Sequence, residues 1–405
     1  MNLNTKRIIL IVLAILLVVE IGAVAVMRSR ADQVTLQNTE PSATDFISTE
    51  PSALPTETIA PTTPPTEPPT EPPVTEPPIK YYTLSFAGDC TLGSAKKNWL
   101  HPDHFVQTIG ENYDYPFYNV REYFENDDFT IINLEGPLTD DPSGGTVKEF
   151  VFRGPTAYTQ IMTGSSVEAV TLANNHAEDY GKAGYDATTK ALSEAGLTYV
   201  EKNGTALYTT ESGLTIGLYA GAFDIDTADM KKDIAKLRKD GAEIVICAFH
   251  WGQELAYYPN GTQVSVGRAA IDAGANIVYG HHPHVLQPIE EYKGGLILYS
   301  VGNFSFGGAA FPTDFDTALF QLEVIRDETG KVFLGDLNVI PCTIRGDDGI
   351  NTFQPTPVWD DPVYSRVLRK LGDNFPGTTL NVTYSKPGAE AIEPTTSATE
   401  ETTGG

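Results

Sequence analysis

The chain has 405 residues, with 53 acidic against 27 basic side chains and a formal net charge of −26. That excess of negative charge argues against nucleic acid or an anionic membrane surface as a partner. Cys90, Cys247 and Cys342 lie far apart with no CxxC pairing, which excludes a structural zinc knuckle and a disulfide framework and leaves room for at most one bridge.

Lys6 and Arg7 precede an apolar run from Ile8 to Val26, interrupted by Glu20. At about 1.5 Å per residue such a run just spans a hydrocarbon core. Residues 1–30 are therefore expected to form an uncleaved, single-pass membrane anchor. Ala23-Val-Ala25 offers a cleavage site as the alternative. Arg28 and Arg30 balance Lys6 and Arg7, so flanking charge does not fix the orientation. Residues 31–79 are rich in Pro, Thr, Ser and Glu, with repeats such as Thr66-Glu-Pro-Pro and Thr70-Glu-Pro-Pro, eight acidic residues and no Lys or Arg. They hold too little apolar surface to offset ordering entropy and are expected to form an extended, disordered linker. Residues 386–405 are expected to be a second disordered acidic tail. Between them, residues 80–385 keep 22 basic and 40 acidic side chains, so an anionic substrate would need local help such as bound cations.

Within residues 80–385, short apolar runs each lead to a polar island. Tyr82 to Phe86 leads to Asp89, and Phe129 to Asn133 leads to Glu135. Ala169 to Leu172 leads to Asn174-Asn-His176, and Glu243 to Phe249 leads to His250. Asn276 to Tyr279 leads to Gly280-His-His-Pro-His284, and Leu296 to Tyr299 leads to Ser-Val-Gly-Asn303. Helix-spaced apolar positions cover Lys182 to Ala195, Met230 to Lys239 and Val264 to Ala273, with Gly196, Gly241 and Gly274 as stops. Strands alternating with helices predict an α/β fold with a largely parallel sheet, and ligands bind such sheets at the carboxyl ends of the strands. Ala318 to Ile325 and Val332 to Ile340 read as an antiparallel pair, which adds a second or mixed sheet.

Five of the seven histidines sit in these islands; His101 and His104 lie in a loop-like stretch and are expected to face solvent. Asp89, Glu135, Asn175, His250, His282 and His284 offer two carboxylates, one amide and three imidazoles. That donor set suits one or two divalent ions of manganese, iron or zinc. Singly, each has a structural explanation: Asp89 and Asn175 as caps, Glu135 as a turn residue, His250 as a satisfied core histidine. Their joint placement at strand ends favours the metal. His176, pointing away from the ligand beside it, would serve as a general acid. Glu254, His281 and Asn303 form an outer layer that would orient a ligand or touch substrate.

In this order, Phe86-Ala-Gly-Asp-Cys-Thr-Leu-Gly93, Asn133-Leu-Glu-Gly-Pro137, Leu172-Ala-Asn-Asn-His176, His250-Trp-Gly-Gln-Glu254, Gly280-His-His-Pro-His-Val-Leu-Gln287 and Tyr299-Ser-Val-Gly-Asn-Phe304 resemble the bacterial capsule-synthesis CapA family, also described as poly-γ-glutamate synthesis proteins. The family is similar in fold to calcineurin-like metallophosphoesterases, which implies a four-layer α/β/β/α sandwich. Carried across, the resemblance implies metal roles for Asp89, Glu135, Asn175, His250, His282 and His284, and a catalytic role for His176. Three departures imply a metal position that is differently built. Thr91 stands where that superfamily has a His two positions after its first Asp, Glu135 stands for an Asp, and an extra residue separates Gly280 from His282-Pro-His284. The resemblance implies a membrane-anchored, extracellular, metal-dependent hydrolase (phosphoesterase-like or amide-cleaving) acting on an anionic cell-surface polymer or its precursor, alongside membrane synthase subunits. The alternative is a non-catalytic scaffold or polymer-binding subunit of a capsule synthase or export complex.

Overall fold

The computed structural model describes residues 78–360 and 362–372, with the backbone of 382–383. The expected anchor (1–30), nearly all of the linker (31–79) and the acidic tail (386–405) lie outside the described residues. Among the described residues no helix is long and apolar enough to cross a membrane.

The strands in chain order are β1 (Lys80–Cys90), β2 (Ser94–Ala95), β3 (Phe129–Leu134), β4 (Phe152–Arg153), β5 (Ala169–Thr171), β6 (Thr198–Val200), β7 (Gly204–Thr209), β8 (Thr215–Ala222), β9 (Ile244–His250), β10 (Ile277–His281), β11 (Ile289–Tyr292), β12 (Gly295–Leu298), β13 (Asp316–Arg326), β14 (Val332–Arg345), β15 (Asn351–Pro357) and β16 (Val382–Thr383). They build two large sheets. The first runs β15-β14-β13-β1-β3-β5-β6, with β16 on β14, and the second runs β11-β12-β10-β9-β8-β7. In the first, β1, β3, β5 and β6 are parallel while β13 to β15 add antiparallel. In the second, β8, β9, β10 and β12 are parallel between two antiparallel edges.

Period-two alternation explains the stacking. Leu84, Phe86, Phe129 and Ile131 of the first sheet meet Leu218, Ile246, Tyr279 and Leu298 of the second in one buried cluster. Alternate residues face outward. On the first sheet Cys90, Ile132 and Val170 pack under Phe105, Ile161 and Leu192 from covering helices. On the second, Val245, Cys247, Val278 and Ile297 pack under Met230, Ile234, Val266 and Ala270 from the helices Thr227–Lys239 and Gly261–Asp272. The layers are thus helix, sheet, sheet, helix. The three predicted helices appear as Gly181–Glu194, Thr227–Lys239 and Gly261–Asp272, and Asp226 and Asn260 cap the latter two through backbone N–H groups.

Three readings need correction or completion. His104 does not face solvent: it is buried at the start of the helix Phe105–Ile109, whereas His101 is exposed. All three cysteines are buried and free, so the one bridge the sequence allowed is not made. The strand β8, next to β9 at the middle of the second sheet, has no counterpart among the predicted elements. Because the parallel strands of each sheet share a direction, the carboxyl ends of β1, β3, β5, β9, β10 and β12 converge on one rim.

Candidate functional site

Asp89, next to last in β1, is fully buried. Its Oδ1 accepts a hydrogen bond from Asn133 Nδ2 at 2.8 Å and lies 2.9 Å from His281 Nδ1. Its Oδ2 lies 3.1 Å from His284 Nδ1. Burial alone would raise the Asp89 carboxyl, but hydrogen bonds and positive charge from His281 and His284 hold it well below the usual carboxylate range.

Glu135 follows directly on β3 and is as deeply buried. Neither carboxylate oxygen has a hydrogen-bond partner. His250 Nε2 and His284 Nε2 are each 3.7 Å from its Oε1. Burial, reinforced by the Asp89 charge and opposed by His284, pushes the Glu135 carboxyl up to about 7. His250 ends β9, and its Nε2 is 2.7 Å from Asn175 Oδ1. Burial drives its basicity well below that of a free imidazole, which favours the neutral ring with one protonated nitrogen and one lone pair.

The turn after β10 carries His282 and His284 on either side of Pro283. Both have positive φ, 92° and 56°, a backbone that non-glycine residues rarely adopt and that clusters at functional sites. His282 Nδ1 and His281 Nε2 are buried without a partner. Burial pulls His282 down to about 4. Burial also works against the His284 cation, but Glu135 and Asp89 outweigh it and push that ring up to about 10.

Donor atoms of Asp89, Glu135 and His284 lie within 4.8 Å of one another, and so do those of Glu254, His282 and His284. The two groups share His284, and His250, in contact with Asn175, also approaches Glu135. A buried carboxylate with no donor lies in the same cluster as two buried imidazole nitrogens without partners, His281 Nε2 and His282 Nδ1. That arrangement fits a divalent cation.

His176 stands beside this cluster, on the wall of a cleft of about 230 Å³ also lined by Glu135, Glu254, His284 and Asn303. Its Nδ1 is 2.7 Å from Oδ2 of the fully buried Asp179, and its ring packs 4.6 Å from that of Phe152. Asp179 is itself held by Lys148 Nζ at 2.9 Å and by the Phe152 N–H at 2.7 Å. Asn303 Oδ1 is 2.9 Å from His284 Nδ1. The structure therefore brings Asp89, Glu135, Asn175, His250, His281, His282, His284, Asn303 and His176 to one rim, with Glu254 at its exposed edge. Thr91 is buried close by and brings no imidazole to Asp89; His281 occupies the position against Asp89 Oδ1 instead.

Sequence reasoning missed Asn133, Asn174 and Asp179. Asn133 links Asp89 to the neighbourhood of His250 Nδ1, 3.5 Å away, and Asn174 Nδ2 donates to Asn133 Oδ1 at 3.1 Å. The available signal was an Asn inside an otherwise apolar buried strand, which must find a polar partner.

A family model described as "Bacterial capsule synthesis protein PGA_cap" matches residues 83–222 and 201–308, together more than half of the chain. The capsule biosynthesis protein CapA of Bacillus anthracis is 31% identical over 317 residues, covering 71% of this chain and 72% of that protein. The PGA biosynthesis protein CapA of Bacillus subtilis (strain 168) is 28% identical over 326 residues, covering 73% of this chain and 80% of that protein. Among solved structures, Haemophilus influenzae NAD nucleotidase aligns over 76% of this chain and 57% of its own, at 10% identity and a TM-score of 0.39, too low to bear on fold or function. With both motif order and family model in agreement, the chain belongs to the bacterial capsule synthesis protein PGA_cap family.

Proposed function

We propose that this protein is a metal-dependent hydrolase of metallophosphoesterase type, anchored in the membrane by residues 1–30 and working outside the cell on poly-γ-glutamate or a related anionic surface polymer. The observation that carries the reading is the buried Glu135 carboxylate with two orphaned oxygens, surrounded by Asp89, Asn175, His250 and His284. Asp89, Glu135 and His284, with Asn175 and His250 beside them, would hold one cation; His282, His284 and Glu254 would hold a second. When bound, such ions supply a water of lowered pKa and polarise a phosphoryl oxygen or amide carbonyl.

The chain's own residues supply the rest. Asp179, oriented by Lys148 and the Phe152 N–H, keeps a proton on His176 Nδ1 and leaves Nε2 to exchange one in the cleft. From there the imidazole protonates the leaving group. Asn303 and Asn133 fix His284 and Asp89 in place. Phe150, Phe152 and Phe306 wall the cleft and limit water.

The test is turnover by the purified full-length protein on a panel of phosphomonoesters, phosphodiesters and γ-glutamyl amides. The His176→Ala variant should lose about 10²–10⁴-fold in turnover on the active substrate while keeping its metal. No turnover by the metal-loaded wild type, with normal polymer output from a His176→Ala strain, would instead assign the chain to scaffolding in a membrane synthase.

A further inference from the structure

We propose that the β2–β4 ribbon carries a second anion subsite, formed by Lys96, Lys97 and Arg153 beside Trp99, which holds a carboxylate or phosphate group of an extended substrate whose scissile end lies at the rim. This rests on the hydrolytic reading of the rim and adds the feature that selects long, multiply charged substrates.

Cations are scarce in the folded region, and half of the described ones already have a carboxylate, as in Arg268 with Glu290, Arg366 with Asp316 and Lys370 with Asp314. Among the described residues, Lys96, Lys97 and Arg153 have none. They line one cleft of about 340 Å³ together with Trp99, Leu100 and Tyr180. The Arg153 guanidinium lies 3.5 Å from the Trp99 ring centroid and 5.7 Å from that of Tyr180. Its Nη1 donates to the Thr139 carbonyl at 3.2 Å. A guanidinium held by a ring face keeps its other in-plane donors for an oxyanion. Asp141 lies near enough to feel the Arg153 charge, but it is exposed and its Oδ1 accepts from the Ser143 N–H at 2.8 Å. Three unpaired cations in one cleft repel one another, and an anion among them relieves that repulsion.

The ribbon also joins this cleft to the rim. Ala95 pairs with Phe152 and Ser94 with Arg153. Phe152 packs against His176, and Phe150, stacked 6.2 Å from Phe152, lines the same cleft as Glu135 and His176. Lys97 Nζ lies 4.7 Å from the centroid of the Phe150 ring. Two aromatic rings therefore form a continuous wall from the proposed general acid to the unpaired cations. An extended chain bearing repeated anionic groups would lie across that wall, with one group at the rim and a later one on the ribbon.

Calorimetric binding to the full-length protein tests this, with glutamate oligomers of increasing length and with tripolyphosphate as probes. Lys96 and Lys97 are exposed, so Lys96→Gln with Lys97→Gln leaves the packing intact, which an unchanged melting midpoint and metal content should verify. The double variant is expected to bind long glutamate oligomers about tenfold more weakly and with a shallower salt dependence, while free glutamate binds as before. The same loss for tripolyphosphate alone would support the subsite and identify its anion as phosphate. Equal binding of both long probes by wild type and variant, or no binding of either by wild type at low salt, would overturn it. Because binding is read rather than turnover, an inactive rim would leave this result interpretable.

Discussion

The amino-terminal and carboxyl-terminal rims of the two sheets carry half-buried and fully buried carboxylates respectively, and they satisfy them in different ways. At the amino ends, Asp128 accepts the Thr83 N–H at 2.8 Å and the Ser212 hydroxyl at 2.5 Å. Glu168 accepts the Thr130 N–H at 2.7 Å, and Glu243 accepts the Thr215 N–H at 3.0 Å while pairing with Arg326 at 2.6 Å. Each of these groups closes off a strand start. At the carboxyl ends, Glu135 is more deeply buried and has no donor for either oxygen. A fold that satisfies half-buried acids at one edge and strands a buried one at the other has left room for something that is not protein.

Substitutions at the two rims probe that contrast. The largest effect is expected at Glu135. In metal-stripped protein near pH 8, Glu135→Gln should not destabilise the fold and should gain up to about 1–3 kcal/mol, because the variant removes an uncompensated buried charge. In metal-loaded protein the sign should reverse. Denaturant melts with and without chelator read both arms, and a loss of stability in the stripped protein would place Glu135 among structural acids. At the opposite rim, Asp128→Ala should cost about 1 kcal/mol with or without metal, since it frees the Thr83 N–H. A metal-dependent cost there would blur the distinction between the rims.

The last effect is a matter of pH. Burial pushes the Glu168 carboxyl from 4.5 up to about 8. Between those values the unfolded chain releases a proton that the folded chain retains, so this group's contribution to stability falls as pH rises through that window. Glu168→Gln keeps the acceptor for Thr130 and removes the titration. The melting midpoint of the variant should therefore gain on the wild type between about pH 5 and pH 8; parallel pH profiles would contradict this.

The same physics explains what the sequence made legible. Asp89, Glu135, His250 and the His281 to His284 turn each close an uninterrupted apolar run, and parallel strands carry such ends to one edge. The strand β8 escaped notice because Gly217 and Gly221 interrupt its run. The structure shows why Gly217 is there: a Cβ would lie 2.8 Å from that of Ala242 and 3.1 Å from that of Leu237, under the covering helix. The helix Val363–Gly372 does carry a helical pattern, with Val363, Val367 and Leu371 at i, i+4 and i+8 against the core; what the sequence hides is that Arg366 and Lys370 tie it to Asp316 and Asp314 on β13 and the loop before it. Asn133 and Asp179 gain their roles through partners 44 residues away in one case and three in the other. The first depends on β1 lying beside β3, and the second on the bend that follows β5. Only the first is beyond the reach of a local pattern.

All of this rests on side chains from five strand ends gathering divalent cations. Elemental analysis of the purified full-length protein, beside a variant carrying His282→Ala and His284→Ala, tests it most directly. One or two manganese, iron or zinc ions per wild-type chain are expected, and their loss from a still-folded variant. A folded wild type that takes up none of these metals on reconstitution, or a variant that retains them in full, would contradict it.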